Sequence, residues 1–364
     1  MTTPATTPAT PAGDPIEHVD VVVVGAGLSG IGAAYRLQTE RPGTTYAVLE
    51  ARAAMGGTWD LFRYPGVRSD SDMYTLGYSF KPWRDGRSLA DGPSILRYIE
   101  ETAAEFDIEQ HVRYSSRVVA ADFDTASCRW TVEVEDPTTG ARRSLTCGFL
   151  YSCAGYYDYD EPHTPDLPGL EDFAGFEPAG IRLESGRVLE ADVVVTATGL
   201  RLRAFGGIAP SADGVEVALP EQHTWNGAMV TGLPSFAVCI GYTNASWTLR
   251  ADLTHRLVCK VLAWTERNGY AAAVPTADGD IGSRPLLDLA AGYVQRSIDA
   301  FPRQGDKAPW RVRQNYVLDS ATTLRSDLGA TLTGLRPTSR PSSTPSSAPS
   351  SAPSRATDPG LVDA

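Results

Sequence analysis

The chain has 364 residues, 42% hydrophobic and 21% charged, which is apolar material for a large core in about two domains at a prior of roughly 150 residues each. Lys and Arg number 32 against 44 Asp and Glu, a net charge of −12 with no basic block, so neither nucleic acid nor an anionic membrane surface is an expected partner. No run approaches the roughly 20 apolar residues of a membrane span. The first residues lack a basic segment followed by an apolar one, so no secretory signal is read and a cytoplasmic location is expected. The five cysteines form no Cys-x-x-Cys pair, which argues against a disulfide framework and zinc and for small buried thiols in a reducing compartment.

Composition divides the chain. Residues 1–17 are read as a disordered tail, because Thr, Pro and Ala dominate up to residue 15, and residues 337–364 as a disordered Pro/Ser tail. Between them, Asp20-Val21-Val22-Val23-Val24 has the pattern of a central parallel strand buried on both faces. It runs into Gly25-Ala26-Gly27-Leu28-Ser29-Gly30 and then a helical segment from Ile31. Strand, glycine turn and helix in that order give G-x-G-x-x-G its meaning: Gly25 permits the turn, Gly27 lets backbone approach a pyrophosphate, and Gly30 lets helix pack on strand. The helix N-terminus offers free N–H groups and a partial positive charge to phosphate. A second strand, Thr45–Leu49, ends at Glu50, whose carboxylate suits the two ribose hydroxyls and would repel a 2′-phosphate. This first site therefore takes the adenosine half of FAD or NAD. A second glycine pair, Gly56-Gly57, suggests backbone running beside another part of a long cofactor.

Farther on, a helix capped by Ser94 is expected over Ile95, Leu96, Tyr98, Ile99 and Phe106. Residues 117–133 and 142–153 read as strands around a turn at Asp136–Gly140. A hairpin is expected over Ile181–Leu189, leading into a buried strand Ala191–Gly199. Leu249–Trp264 reads as a helix with Leu253, Leu257, Val258, Val261 and Leu262 on one face. The histidines show no ligand spacing, and no metal site is expected.

Gly56-Gly57-Thr58-Trp59-Asp60-Leu61-Phe62-Arg63-Tyr64-Pro65-Gly66-Val67-Arg68-Ser69-Asp70 resembles the [AG]-G-x-W-x₄-[FY]-P-[GM]-x₃-D signature of the Baeyer–Villiger flavoprotein monooxygenases. Ser71–Phe80 is similar to the ethionamide-activating subgroup, and Gly155–Glu161, Thr196–Gly199, Gly241–Trp247 and Ala308–Arg311 agree with the family in order. The resemblance implies an α/β, Rossmann-like three-layer FAD-binding fold with an added β-meander. It also implies a monooxygenase using FAD, NADPH and O₂ on a small ketone or sulfur-containing substrate. It assigns Gly25, Ala26, Gly27, Ser29 and Gly30 to the FAD pyrophosphate, Glu50 to the ribose, and the Val118 backbone to the adenine. Thr58, Trp59, Asp60 and Leu61 would run beside the ribityl chain and flavin. Arg68, Ser69 and Asp70 would face the nicotinamide side, with Arg68 and Asp70 as the catalytic residues. Asp70 would help hold an arginine that stabilises the flavin peroxide anion. Read without the family, Trp59 and Trp247 are core aromatics and Asp70 is a helix cap before Met73.

One part of the family pattern is interrupted. Phe173 and Gly175 begin the fingerprint F-x-G-x₃-H-x₃-[WP], but Ala179 and Leu183 stand where His and Trp or Pro belong. No second G-x-G-x-x-G follows a strand after residue 31. The expectation is one FAD-binding domain in two halves, 18–175 and 176–336, with the inserted NADPH-binding domain lost at the join and turnover impaired. The alternative is a non-catalytic FAD-binding remnant.

Overall fold

A computed structural model describes residues 16–338 apart from 164–179, 183, 184, 186, 194, 196–198, 288 and 290. Both expected disordered tails, but for residues 16, 17, 337 and 338, and the point of the join itself lie outside the described residues. Strand β1 (Glu17–Val24) leads through the glycine turn into helix α1 (Leu28–Glu40), followed by β2 (Tyr46–Leu49), the short helices α2 (Thr58–Leu61) and α3 (Met73–Leu76), and α4 (Gly92–Glu105). Next come β3 (Val112–Arg113), β4 (Arg117–Asp124), β5 (Arg129–Glu135), β6 (Arg142–Ser152) and β7 (Tyr157–Pro162).

The second half holds the β8 (Ile181–Arg182) and β9 (Val188–Leu189) hairpin, then β10 (Leu200–Leu202), β11 (Ala209–Ala212), β12 (Val215–Glu216), β13 (Thr224–Trp225), β14 (Met229–Val230) and β15 (Phe236–Val238). The long helix α5 (Trp247–Arg267) follows, with β16 (Ala272–Pro275), β17 (Arg284–Pro285), α6 (Gly292–Ser297), β18 (Arg303–Gln304), α7 (Tyr316–Arg325) and β19 (Leu332–Leu335) closing the chain.

The architecture has three layers, as expected. Strands β3, β2, β1, β6 and β15 lie side by side and all parallel, while β4, β5 and the first half of β6 form an antiparallel meander. Strand β6 belongs to both: residues 142–147 pair with β5, and residues 150–152 pair with β15 on the same flank. Alternation along β1 then sorts the core. Val21 and Val23 enter the cluster shared with α1, α4 and α5, and Val22 and Val24 enter the cluster shared with the meander. Burial on both faces explains the unbroken valine run.

Several local expectations are corrected. Helix α4 is capped by the Asp91 carboxylate, which accepts from Ser94 N at 2.8 Å, so Ser94 is not the cap. The expected strand 117–133 is two strands. Asp124 accepts from the amides of Ala126 and Ser127 and turns the chain, with Cys128 at φ 56°. The run Ala191–Gly199 is not a buried strand among its described residues: Val193 and Val195 are 75% and 82% exposed.

Helix α5 starts at Trp247 and packs across α1, and Leu253, Leu257, Val258 and Val261 are buried as read from the sequence. Within that contact His255 is fully enclosed, with Nδ1 2.7 Å from the Tyr151 hydroxyl and Nε2 against Gly32 of α1, where a Cβ would come within 3.1 Å. Burial, helped by the Arg36 charge, pushes its pKa down to about 3. An unfolded histidine binds a proton below about pH 6.5, whereas this one does not until about 3, so stability falls as pH drops through that window. Urea unfolding at a series of pH values is expected to lose about 1.4 kcal/mol per pH unit from this group. His255→Gln should remove that part of the slope, and an unchanged slope would refute the assignment.

Candidate functional site: the glycine turn and the acid beside it

Gly25 adopts φ 99°, and a Cβ there would lie 2.8 Å from the Cys153 carbonyl oxygen. Gly30 is tighter still: its Cβ would fall 1.8 Å from the Gly25 carbonyl. Helix α1 begins at Gly27 with no side chain capping it, so its first amides are left to meet a ligand.

The second glycine pair backs onto the first. Gly56 N donates to Ala26 O at 3.0 Å, and a Cβ on Gly27 or on Gly57 would stand 3.5 Å or 3.2 Å from the other's Cα. Backbone close approach is thus the first duty of Gly57, placed there at φ 55°.

Glu50 is 6% exposed at the end of β2, and its Oε2 accepts from Ala26 N at 2.7 Å while Oε1 accepts from Arg52 N at 3.0 Å. Burial raises its pKa, against these two amide bonds and the Arg52 charge, which lower it. Ser116 N donates to Glu50 O at 2.8 Å, which sets the start of β4, and with it Val118, beside the acid. Around α2, Thr58 Oγ1 lies 2.7 Å from the Tyr159 hydroxyl, Trp59 is half-buried, and Asp60 is buried between the guanidinium groups of Arg52 and Arg63. Arg52 Nη1 is buried with no partner, an orphaned donor next to Glu50 and Asp60. An orphaned cation donor, uncapped helix amides and a bare glycine face fit the diphosphate and ribose of a dinucleotide.

The Arg68–Asp70 segment is held separately. Val67 O accepts from Gly92 N and Ser69 N donates to Ala90 O, pinning the segment to the start of α4. Ser69 is buried with its hydroxyl in a local turn to Ser71, whereas Arg68 and Asp70 are exposed. Asp70 is not a cap: Asp72 caps α3 by accepting from Thr75 N at 3.0 Å. Among the described residues no cation is ion-paired with Asp70. Tyr156 feels the Asp70 charge, after burial the weakest of several upward influences on its phenol, and its ring lies 5.4 Å from that of Trp247. Trp247 Nε1 in turn donates to Ser29 Oγ at 2.7 Å, linking the glycine turn to the start of α5. Trp247 is therefore both a packing aromatic and a polar tether.

The sequence-expected glycine turn, Glu50, Thr58–Leu61 and Val118 thus gather around β1, β2, α2 and β4, while Arg68–Asp70 is held apart against the start of α4. Arg52, Arg63, Tyr156 and Tyr159 were not foreseen. Arg52 and Arg63 bracket the acidic Asp60 within a dozen residues, a spacing that could have suggested the pairing.

The fold and this cradle define a dinucleotide-binding flavoprotein of the Rossmann-like kind, and the profile of the NAD(P)-binding Rossmann-like domain matches residues 23–85. The chain belongs to the family of FAD-containing monooxygenases. It is 33% identical to the FAD-containing monooxygenase EthA of Mycobacterium tuberculosis over 464 positions, covering 83% of this chain and 94% of that protein. The putative FAD-containing monooxygenase MymA of the same organism is 31% identical over 476 positions, 86% of this chain and 96% of its own length. Among solved structures, oxidized steroid monooxygenase bound to NADP superposes with TM-score 0.67 at 16% identity, over 88% of this chain and 100% of that one. Cyclohexanone monooxygenase with ε-caprolactone gives TM-score 0.58 at 16% identity, over 71% and 90%. The EthA alignment has 464 positions but engages only 83% of 364 residues, so roughly 160 positions, a typical domain's worth, face no residue of this chain.

Replacing Gly30 with alanine drives a methyl into the Gly25 carbonyl. Gly30→Ala is expected to lower flavin content at least about tenfold, equivalent to 1.4 kcal/mol, read as the flavin-to-protein absorbance ratio of purified protein. Gly86→Ala, in open space and outside the left-handed backbone region, serves as the control.

Proposed function

We propose that this chain is the FAD-binding part of a Baeyer–Villiger-type monooxygenase, whose parent reaction inserts one oxygen of O₂ beside a ketone carbonyl or onto sulfur at the expense of NADPH. The observation that carries the reading is the buried Glu50 carboxylate held 2.7 Å from Ala26 N inside the glycine turn. When bound, FAD supplies the oxygen-activating chemistry. The glycine turn, Gly25, Ala26, Gly27, Ser29 and Gly30, and the α1 amides hold its pyrophosphate. Glu50 accepts from the ribose hydroxyls, and its negative charge disfavours a 2′-phosphate. The Val118 backbone borders the adenine. Thr58, Trp59, Asp60 and Leu61 line the ribityl and flavin end, with Asp60 oriented by Arg52 and Arg63. Arg68, Ser69 and Asp70 form the side from which a nicotinamide and a small organic substrate approach.

NADPH-driven turnover of this chain is weak, because the second nucleotide-binding domain is absent between its two halves. Two observations favour that reading: the unmatched alignment positions, and the way the chain leaves and re-enters the fold. Strand β7 pairs antiparallel with β10, and His163 N donates to Gly199 O at 3.1 Å, so exit and return lie side by side. An excursion between adjacent ends is what an inserted domain requires. Asp70 is exposed and without an ion pair among the described residues, open to a cation that the absent domain would supply. The buried, unpaired thiols accord with a cytoplasmic setting.

Purified protein is expected to be yellow, and Glu50→Ala to bind FAD roughly ten- to a hundredfold more weakly, the value of hydrogen bonds to a charged group. NADPH oxidation with ketone or sulfide present should not exceed the substrate-free rate. NADPH use coupled one-to-one to ester formation would refute the impaired-turnover reading. Colourless, folded protein that takes up no FAD would refute the flavin site.

A further inference from the structure

Cys153 and Cys239 have no part in the proposed flavin contacts, yet they occupy a specific place. β6 and β15 are parallel with Ser152 opposite Val238, and Cys239 N donates to Ser152 O at 2.8 Å, so the next residue of each strand is a cysteine at neighbouring strand ends. Neighbouring strands run about 4.8 Å apart, within the roughly 4.4–6.8 Å between Cα atoms that a disulfide spans. Both side chains enter the core on the helix side, together with Tyr151 and Ala237. The thiols interact with each other, and Cys239 also with the hydroxyls of Ser29 and Tyr151.

Their acidity is split. Burial raises Cys153, reinforced by Cys239. Burial also pulls Cys239 upward, but its neighbours Cys153, Ser29 and Tyr151 and the Arg250 charge bring it below the usual thiol value. Cys239 is the thiol with the hydroxyls of Ser29 and Tyr151 beside it.

The pair lies directly under the glycine turn. The Cys153 carbonyl is the atom that a Cβ on Gly25 would meet at 2.8 Å, and Ser29, next to Cys239, is the turn residue bonded to Trp247. Cys259, on α5, is the other thiol near Tyr151, while Cys147 faces the meander.

We propose that Cys153 and Cys239 form a reversible oxidation site, closed to a disulfide by hydrogen peroxide, and that its closure loosens FAD by shifting the glycine turn above it. In the reaction the Cys239 sulfur attacks peroxide, the O–O bond breaks and one water leaves. Cys153 then displaces hydroxide from the resulting sulfenic acid, so that both thiol hydrogens and the peroxide emerge as two waters and one S–S bond. The sulfurs become two-electron oxidised and the peroxide reduced. The disulfide removes the thiol next to Ser29 and draws together the strand ends whose Cys153 carbonyl supports Gly25. This coupling rests on the flavin reading above; the chemistry at the cysteines does not.

The test treats reduced, FAD-loaded protein with hydrogen peroxide, blocks free thiols, and maps peptides without reduction. The expected result is a Cys153–Cys239 linked peptide with loss of two hydrogens per chain, and a several-fold weaker FAD affinity by flavin fluorescence, both reversed by dithiothreitol. Cys153→Ser and Cys239→Ser should each abolish both effects, and Cys153→Ala and Cys239→Ala serve where a serine variant folds poorly. An unlinked sulfenic or sulfinic acid, a bridge to Cys259, no mass change in folded protein, or a bridge with unchanged FAD affinity would overturn the proposal. Failure of the flavin reading alone is distinguishable, because the reduced protein would then bind no FAD while peptide mapping still decides the cysteine chemistry.

Discussion

The contact between Gly30 and the Gly25 carbonyl, with no room for even one methyl group, governs the rest of this structure. It lets α1 start immediately at the end of β1 and lie close against the sheet. Ala26 N and O are then turned outward to be met by Glu50 and Gly56. The second glycine pair follows the same compactness: a Cβ at Gly57 would press to 3.2 Å on the Gly27 Cα. The uncapped amides of α1 complete a surface built for negative charge, with the Arg52 donor beside it. Burial energy and ligand affinity come from the same close approach, so the site cannot be loosened without loosening the core behind it.

Strand β6 is the second organising element. Eleven residues long, it starts in the meander and ends in the parallel sheet, which carries one hydrophobic layer over to the next. Its central residues Phe149, Leu150 and Tyr151 are all buried and alternate between the two core clusters. Because β1 and β15 flank its second half, the parts of the fold encoded before and after the 164–199 excursion are zipped together along one strand. The adjacent β7 and β10 close that excursion at its base. This is the physical basis on which a split fold remains one body even where the connecting segment differs among relatives.

Local chemistry in the sequence was sufficient for elements whose signal is itself local. The valine run of β1, the glycine spacing, Glu50 at the end of β2 and the apolar face of α5 all reappear where they were read, because strand and helix periodicity record burial directly. Caps were less legible: Asp91 and Asp72 act where Ser94 and Asp70 stood as equally good candidates, and one-residue differences in entry angle decide between such neighbours. The run Ala191–Gly199 was less legible for a nonlocal reason: an apolar run marks a candidate buried strand, but burial depends on what packs over it, and Val193 and Val195 stay exposed.

By itself, then, the sequence determined the dinucleotide-binding turn, its acid, the family signature and the absence of a second glycine fingerprint, all carried by residues close together in the chain. Only the tertiary structure decided that Asp60 is clamped by Arg52 and Arg63, and that Trp247 reaches Ser29 across 218 positions. It likewise decided that Tyr151 meets a neutral His255 at the centre of the helix layer, and that Cys153 and Cys239 stand side by side under the turn. Each of these is a contact between distant segments. Their geometry is set by how β1, β6 and β15 align and how α5 crosses α1, and no spacing along the chain encodes that.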